Sequence, residues 1–257
     1  MLLILLSPLS VSTGLACGKA YDASVADGGV TTDASTDAAS DEAALADVVT
    51  EPVDAADAAD AAEASACDLS QTDSDPENCG VCGNVCATKT CAGGVCDRLV
   101  FTTALTHNGS LGGLLGADKI CQDDATTAGV KGAFKAWLSL GTGIANVNGR
   151  FVKSTTPYRR RDGIAIAMSY AQLVGTGGVL APLGMTATGT SLPNPGFAWT
   201  DTGQNGSDNG TGDCNGWNTG AGGTLGNTGD LTSLTASWTQ SSSRSCDMLG
   251  RLVCFEQ

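Results

Sequence analysis

Eleven cysteines, unevenly placed, constrain this chain more than any other feature. Cys17 stands alone. Cys67, Cys79, Cys82, Cys86, Cys91 and Cys96 crowd one short segment, while Cys121, Cys214, Cys246 and Cys254 are spread over the C-terminal region. With Cys17 set aside, each group holds an even number, as two separate disulfide frameworks require. Disulfides persist only in oxidising compartments, so the arithmetic predicts export.

The N-terminus agrees without relying on the cysteines. Residues 1–16 carry no charged side chain, and Leu2-Leu3-Ile4-Leu5-Leu6 is a compact apolar run. It is far shorter than the ~20 apolar residues of a membrane span and reads as the core of a signal peptide over 1–16. The stretch Thr13-Gly14-Leu15-Ala16-Cys17-Gly18 resembles a bacterial lipoprotein cleavage box. That resemblance implies a lipidated Cys17, a membrane partner through the lipid anchor, and a location at the outer membrane or cell surface. Gly14 stands where that box usually has leucine, and the usual basic residues before the apolar run are missing, which leaves open a start upstream of Met1. The alternative is ordinary signal cleavage with a free Cys17 thiol.

Residues 17–66 are an Ala/Asp-rich tether. Asp54-Ala55-Ala56-Asp57-Ala58-Ala59-Asp60 repeats every three residues, a period that drifts around a helix and builds no apolar stripe. Like charges and the lack of packing partners predict a disordered, self-repelling spacer. The whole chain carries 27 acidic against 13 basic residues, a formal charge of −14. Nucleic acid is excluded as a partner, because phosphate binding needs clustered Lys and Arg. The one basic run, Arg159-Arg160-Arg161, reads as a solvated loop.

Residues 67–97 form a small Cys-rich module too poor in large apolar side chains to bury a core, so cross-links must replace one. Cys79-Gly80-Val81-Cys82 has the spacing of a zinc or redox pair, but export and the absence of histidine favour disulfides among all six. The order Asn78-Cys79-Gly80-Val81-Cys82-Gly83-Asn84-Val85-Cys86, then Cys91 and Cys96, resembles small cysteine repeats of secreted proteins. These include stigma-specific-protein-like modules and repeats of myxobacterial surface proteins.

In residues 98–257, Leu99–Thr103 reads as an opening strand. Ala117, Ile120, Cys121, Ala125 and Ala128 recur at helical spacing, and Gly129 supplies the stop. Phe134–Leu138 alternates as a strand, and short apolar pieces follow at Ile164–Ala167, Phe197–Thr200, Ala236–Trp238 and Arg251–Phe255. One good helix among short strands and long loops indicates an α+β domain. Phe101, Phe134, Trp137 and Trp199 are expected in its core, and Asp118 is expected in the helix's first turn, where a carboxylate suits the dipole.

The element Gly112-Gly113-Leu114-Leu115-Gly116-Ala117-Asp118-Lys119-Ile120-Cys121, leading to Phe134-Lys135-Ala136-Trp137-Leu138, resembles collagen endostatin. It is closer still to a bacterial domain family of unknown function related to endostatin. Trp199-Thr200, Cys214-Asn215-Gly216-Trp217, Cys246 and Leu252–Glu256 follow in matching order, so the likeness spans nearly all of 98–257. It implies an endostatin-like variant of the C-type-lectin-like fold, with Cys121 paired to Cys254 and Cys214 nested inside with Cys246. Endostatin's several zinc-binding histidines and its basic heparin surface are not reproduced, so neither property is carried over.

His107 is the only histidine, and no Gly-x-Ser-x-Gly nucleophile elbow occurs, so no catalytic residues are assigned. Among cofactors only calcium has a candidate. The loop Asp201–Asp213 offers Asp201, Asn205, Asp208 and Asp213 as oxygen ligands, without EF-hand spacing and without a Trp-Asn-Asp signature. Ordinary turn chemistry is the competing explanation. The expectation is a surface-exposed lipoprotein acting as a non-catalytic binding module for a glycan or a surface protein. A structural envelope lipoprotein making only protein contacts is the alternative, and a secreted hydrolase the third reading.

Overall fold

The computed structural model describes residues 67–257 apart from Thr142, Thr176, Gly177 and Thr211. The signal peptide 1–16, the lipidation candidate Cys17 and the tether 17–66 lie outside the described residues. What is described is a mixed α+β structure with several sheets, few helices and a disulfide-rich N-terminal segment.

That segment is held by sulfur. Cys67 is bonded to Cys82, Cys79 to Cys91, and Cys86 to Cys96, so no thiolate remains for the zinc alternative. Its one hairpin, β1 (Cys91–Ala92) with β2 (Val95–Cys96), is two residues deep. Cys79 and Cys86 are its only buried apolar residues, so the bridges themselves are the core. Packing is close enough that a Cβ on Gly80 would lie 2.4 Å from the Gly94 carbonyl oxygen.

The main sheet follows. Its strands are β3 (Arg98–Thr102), β4 (Phe134–Ala136), β5 (Tyr158–Arg159), β6 (Ala165–Ala167) and β10 (Val253–Glu256), in the order β4-β10-β3-β5-β6. The last strand therefore lies between two early ones. Cys254 faces Phe101 on one side and Ala136 on the other, both antiparallel. Strand alternation sends successive side chains to opposite faces. Leu99, Phe101, Phe134, Ala136 and Cys254 enter one core cluster, while Val100, Trp137, Val253 and Phe255 enter the other.

Helix α1 (Gly113–Thr127) covers the first face through Ala117, Cys121 and Ala125, all fully buried. Their four-residue spacing makes one narrow stripe of small side chains, which lets the helix lie close to the sheet. Gly129, at φ 66°, ends it. The second face packs on aromatic side chains: Trp137, Phe151, Tyr158, Trp238 and Phe255 meet at ring-centroid distances of 4.9–6.5 Å. Phe151 follows α2 (Val147–Arg150), and Tyr170 and Leu173 of α3 (Tyr170–Leu173) close the same cluster.

A smaller antiparallel sheet is built from β7 (Phe197–Trp199), β8 (Leu225–Asp230) and β9 (Ser242–Ser245), with β8 central. It is joined to the end of β10 by paired backbone bonds between Trp199 and Arg251 and between Arg251 and Phe197. Before β8, Cys214, Asn215, Gly216 and Trp217 all have positive φ, between 51° and 70°. L-residues resist that conformation. Here the turn is held by the Cys214–Cys246 disulfide, by the Asp213 carboxylate accepting the Gly216 N–H at 3.1 Å, and by the buried Trp217. A Cβ on Gly226 would meet the Cys214 sulfur at 2.6 Å and the Trp199 ring at 2.7 Å, so only glycine fits there.

Three expectations need correction. Asp118 is not in the first turn of α1: the helix begins at Gly113 and its first turn holds no acid. The Asp118 carboxylate instead accepts the Ala136 N–H at 2.9 Å and pairs with Arg150 at 2.5 Å, joining α1, β4 and α2. The basic run is not a solvated loop, because Arg159 pairs with the buried Asp97 and Arg161 donates to the Ala87 carbonyl. Both contacts tie the main domain to the cysteine-rich segment, and Arg160 pairs with Asp162. Ala236–Trp238 forms a 3-10 turn rather than a strand, with Thr235 accepting the Ser237 N–H at its start.

The outer bridge, Cys121–Cys254, closes 133 residues and the inner, Cys214–Cys246, closes 32. Replacing each pair by alanine is expected to cost about 5 and about 4 kcal/mol respectively on loop-entropy grounds. Urea denaturation of the two double variants should show the outer pair as the costlier loss.

Candidate functional site

Strand β8 reads Leu-Gly-Asn-Thr-Gly-Asp and β9 reads Ser-Ser-Arg-Ser, segments with few large side chains. A sheet built from them leaves part of one face open. Phe197 faces Asp230, Trp199 and Ser242 face Thr228, and Arg244 faces Gly226. Directly opposed residues share a face, so this register sets Phe197, Thr228, Asp230, Ser242 and Arg244 on the same side. There they line a cavity of about 250 Å³, together with Ser241. Trp199 and the inner disulfide lie on that side too, packed against Gly226.

The chemistry of the cavity is mixed. The Arg244 guanidinium carbon lies 4.6 Å from the Phe197 ring centroid, a cation–π contact that holds the plane in place. Its Nε is buried without a partner, and Arg244 makes no hydrogen bond or ion pair among the described residues. Asp230 uses Oδ1 to accept the N–H and hydroxyl of Thr232 at 2.9 and 2.7 Å, while Oδ2 accepts none. The Thr228 hydroxyl donates to the Ser242 carbonyl at 2.8 Å, and the Ser241 and Ser242 side chains are exposed. The Ser242 hydroxyl also meets the Thr228 hydroxyl at 3.3 Å. Among the described residues, one cation with free donors, one carboxylate with a free oxygen and the Ser241 hydroxyl thus converge on one small space.

A second cavity, of about 290 Å³, lies between the cysteine-rich segment and the main sheet, against Asn84, Val95, Arg98, Lys131 and Glu256. Its charged groups are mostly committed to structure. Arg98 donates to the Gln257 carbonyl at 2.8 Å and stands 3.9 Å from Glu256, whose carboxylate accepts the Leu99 N–H at 2.8 Å. Burial pushes the Glu256 carboxyl above its usual range, against the opposing pull of that N–H and of Arg98. The first cavity, with its unspent donors, is the stronger candidate.

The residues singled out for calcium do not converge. Asp213 caps the Cys214–Trp217 turn, and Asn205 accepts the Ser207 N–H at 3.1 Å. Asp201 is buried at a positive φ of 39°, and Asp208 is bridged across the loop to Thr202. Among the described residues, the one group of three or more Cys, His, Asp or Glu ligand atoms within 4.8 Å of one another is Cys79, Cys86 and Cys96, all in disulfides.

His107 sits half-buried beside Gly250. Its N–H and carbonyl pair with Gly250 at 2.6 and 2.9 Å, and its carbonyl also accepts the Trp199 indole N–H at 2.8 Å. Its backbone is therefore structural, and its imidazole makes no hydrogen bond among the described residues. Phe101, Phe134, Trp137 and Trp199 are core, all at most 3 % exposed.

Sequence reasoning missed Phe197, Asp230, Ser242 and Arg244 as a group. The signal was faint but present: Ser241-Ser242-Ser243-Arg244-Ser245 is a strand-length run in which period two places Ser242 and Arg244 together.

Fold and cavity together define a disulfide-stapled α+β protein with a polar pocket on its smaller sheet. Residues 104–234 match the family model described as Protein of unknown function (DUF1554), and the chain belongs to that family. A search of curated proteins finds no match.

Burial, partly opposed by Asp124 and reinforced by Arg251, holds the His107 imidazole below its usual pKa. The folded state thus favours neutral His107. Its contribution is complete above the free-histidine pKa of about 6.5 and is lost as pH falls through the folded value. Replacement by glutamine should therefore flatten the loss of stability between about pH 7.5 and pH 5. Urea titrations of both proteins at the two pH values test this; equal slopes would place His107 in an unperturbed environment.

Proposed function

We propose that this chain is an exported, lipid-anchored protein of the bacterial envelope whose folded part is a non-catalytic glycan-binding module. The signal-like residues 1–16, the box ending at Cys17 and the acidic tether 17–66 support export, anchoring and reach. The five disulfides fit the same oxidising compartment.

The reading of the domain as an endostatin-like variant of the C-type-lectin-like fold also belongs to this proposal. It is supported by the bridge from α1 to the last strand and by the nested Cys214–Cys246 pair. Fold alone does not give function. The observation that carries the binding reading is the Arg244–Phe197 pocket, where donors and acceptors stand unspent on an open sheet face.

A second reading, a structural envelope lipoprotein making only protein contacts, is favoured by Leu115 and Ile144. These large apolar side chains are 84 % and 87 % exposed.

The full chain applied to an immobilised glycan array is expected to be retained by a restricted set of sugars. Asp230→Ala is expected to reduce that retention about tenfold, the loss of one charged hydrogen-bond acceptor. Indifference to every glycan, with co-purification of an envelope protein that Leu115→Ser and Ile144→Ser abolish, would overturn the glycan reading in favour of the second.

A further inference from the structure

We infer that the pocket on the β7–β8–β9 face selects a sugar bearing a carboxylate, an acidic monosaccharide unit such as a uronic acid, with Arg244 as the residue that reads the acid. This rests on the glycan reading above and narrows it to a chemical class.

The inference begins from how this chain spends its other arginines. Arg98 donates to the Gln257 carbonyl, and Arg150 to Asp118 and the Ala136 carbonyl. Arg159 donates to Asp97, Arg160 to Asp162, Arg161 to the Ala87 carbonyl and Arg251 to the Thr103 carbonyl. Each guanidinium is a structural clamp. Among the described residues, the Arg244 guanidinium alone donates to nothing, and its Nε, like that of Arg98, is buried without a partner. Its terminal nitrogens have no acceptor among the described residues, and Arg244 lines the cavity, so a ligand there can supply one. The contact of its guanidinium carbon with the Phe197 ring, 4.6 Å from the centroid, restrains the group, and a guanidinium pairs with a planar carboxylate through two parallel hydrogen bonds.

The rest of the pocket decides what else the ligand carries. A simple anion would satisfy Arg244 but would meet the Asp230 carboxylate in the same small cavity. A doubly charged phosphate would meet it with greater repulsion. Asp230 has one oxygen free to accept, and Ser241 and Ser242 offer hydroxyls at the rim. The complementary ligand therefore presents a carboxylate at one end and hydroxyl donors at the other. The cavity of about 250 Å³ lies below the ~300–1,000 Å³ of pockets for drug-sized ligands. It accommodates one ring, so a longer chain would engage it through a terminal or single acidic residue.

Calorimetry or ligand-observed NMR on the full chain separates the components, with glucuronic acid, glucose, the methyl ester of glucuronic acid, acetate and inorganic phosphate as probes. Glucuronic acid is expected to bind at least about tenfold more tightly than glucose or the ester, the equivalent of one good charged contact. It should also bind more tightly than acetate, which has no donor for Asp230, and than phosphate, whose greater negative charge meets that carboxylate. Arg244→Met should erase the preference for acid over ester. Arg244→Lys, which keeps the charge but not the fork, should recover only part of it. Asp230→Asn should weaken glucuronic acid while strengthening acetate, a reversal that a purely structural role would not produce.

The wild-type comparison needs no variant to fold. Equal binding of acid, ester and glucose would overturn the acidic-sugar inference and leave the glycan reading standing. Phosphate or acetate binding as tightly as glucuronic acid would make the pocket a simple anion site and overturn the inference. No sugar binding here, together with an indifferent glycan array, would remove both readings.

Discussion

The fold depends on where its last strand goes. β10 enters between β3, which opens the domain, and β4, so these two early strands do not meet until β10 bridges them. Cys254 sits at the crossing point, opposite Phe101 and Ala136, and its sulfur bonds to Cys121 on the helix covering that face. One residue thus joins three strands and α1. Contacts this distant in sequence carry a large loop-closure cost, and the bridge removes much of it from the unfolded chain. The small side chains Ala117, Cys121 and Ala125 then matter, because only a close helix brings the two sulfurs together.

The tryptophans, two in each core cluster, pose another problem. Aromatic residues make up only 5 % of the chain, yet all four tryptophans are fully buried. Burying a tryptophan demands an acceptor for its indole N–H. Trp137 donates to the Thr239 hydroxyl, Trp199 to the His107 carbonyl and Trp217 to the Ser139 carbonyl, while the Trp238 indole nitrogen is buried without a partner among the described residues. Thr239 in turn donates to the Thr202 carbonyl, and Thr202 to the Ser139 hydroxyl. Buried hydroxyls between the two sheets are therefore linkers, which gives the Ser/Thr-rich loops a structural use in a chain with little regular secondary structure. A network of this kind rewards complete satisfaction and penalises partial loss.

What could be read from sequence follows from the range of the interactions. The α1 spacing, the Gly129 stop and the β-rich run Leu99–Thr103 are local patterns, and they reappear as α1 and β3. The two long bridges are the pairs implied by family resemblance, since spacing alone leaves several pairings open. Asp118 and the Arg159–Arg161 run were misread for one reason. A charge is assigned to solvent or to a helix dipole when its partner is distant, and Arg150 and Asp97 lie 32 and 62 residues away. The pocket was hidden by the same limit. Ser242 and Arg244 share one strand, but Phe197 and Asp230 join them only through pairing across β8.

The open face of the smaller sheet is a choice that stability alone would not make. An apolar residue at position 244 would cover Phe197 without leaving a buried donor unmatched, and a carboxylate placed nearby would pair the guanidinium as Arg150, Arg159 and Arg160 are paired. Instead the strands around it carry glycine, serine and threonine, and the nearest acid, Asp230, is drawn aside by Thr232. Stacking on Phe197 restricts Arg244 before any ligand arrives, so less side-chain freedom is lost on binding. Trp199 and the Cys214–Cys246 bridge pack against Gly226 of β8, and the bridge ties the turn before that strand to the residue after β9. A rigid, stapled sheet with one unspent cation is a costly arrangement for a structural element and an economical one for a binding site.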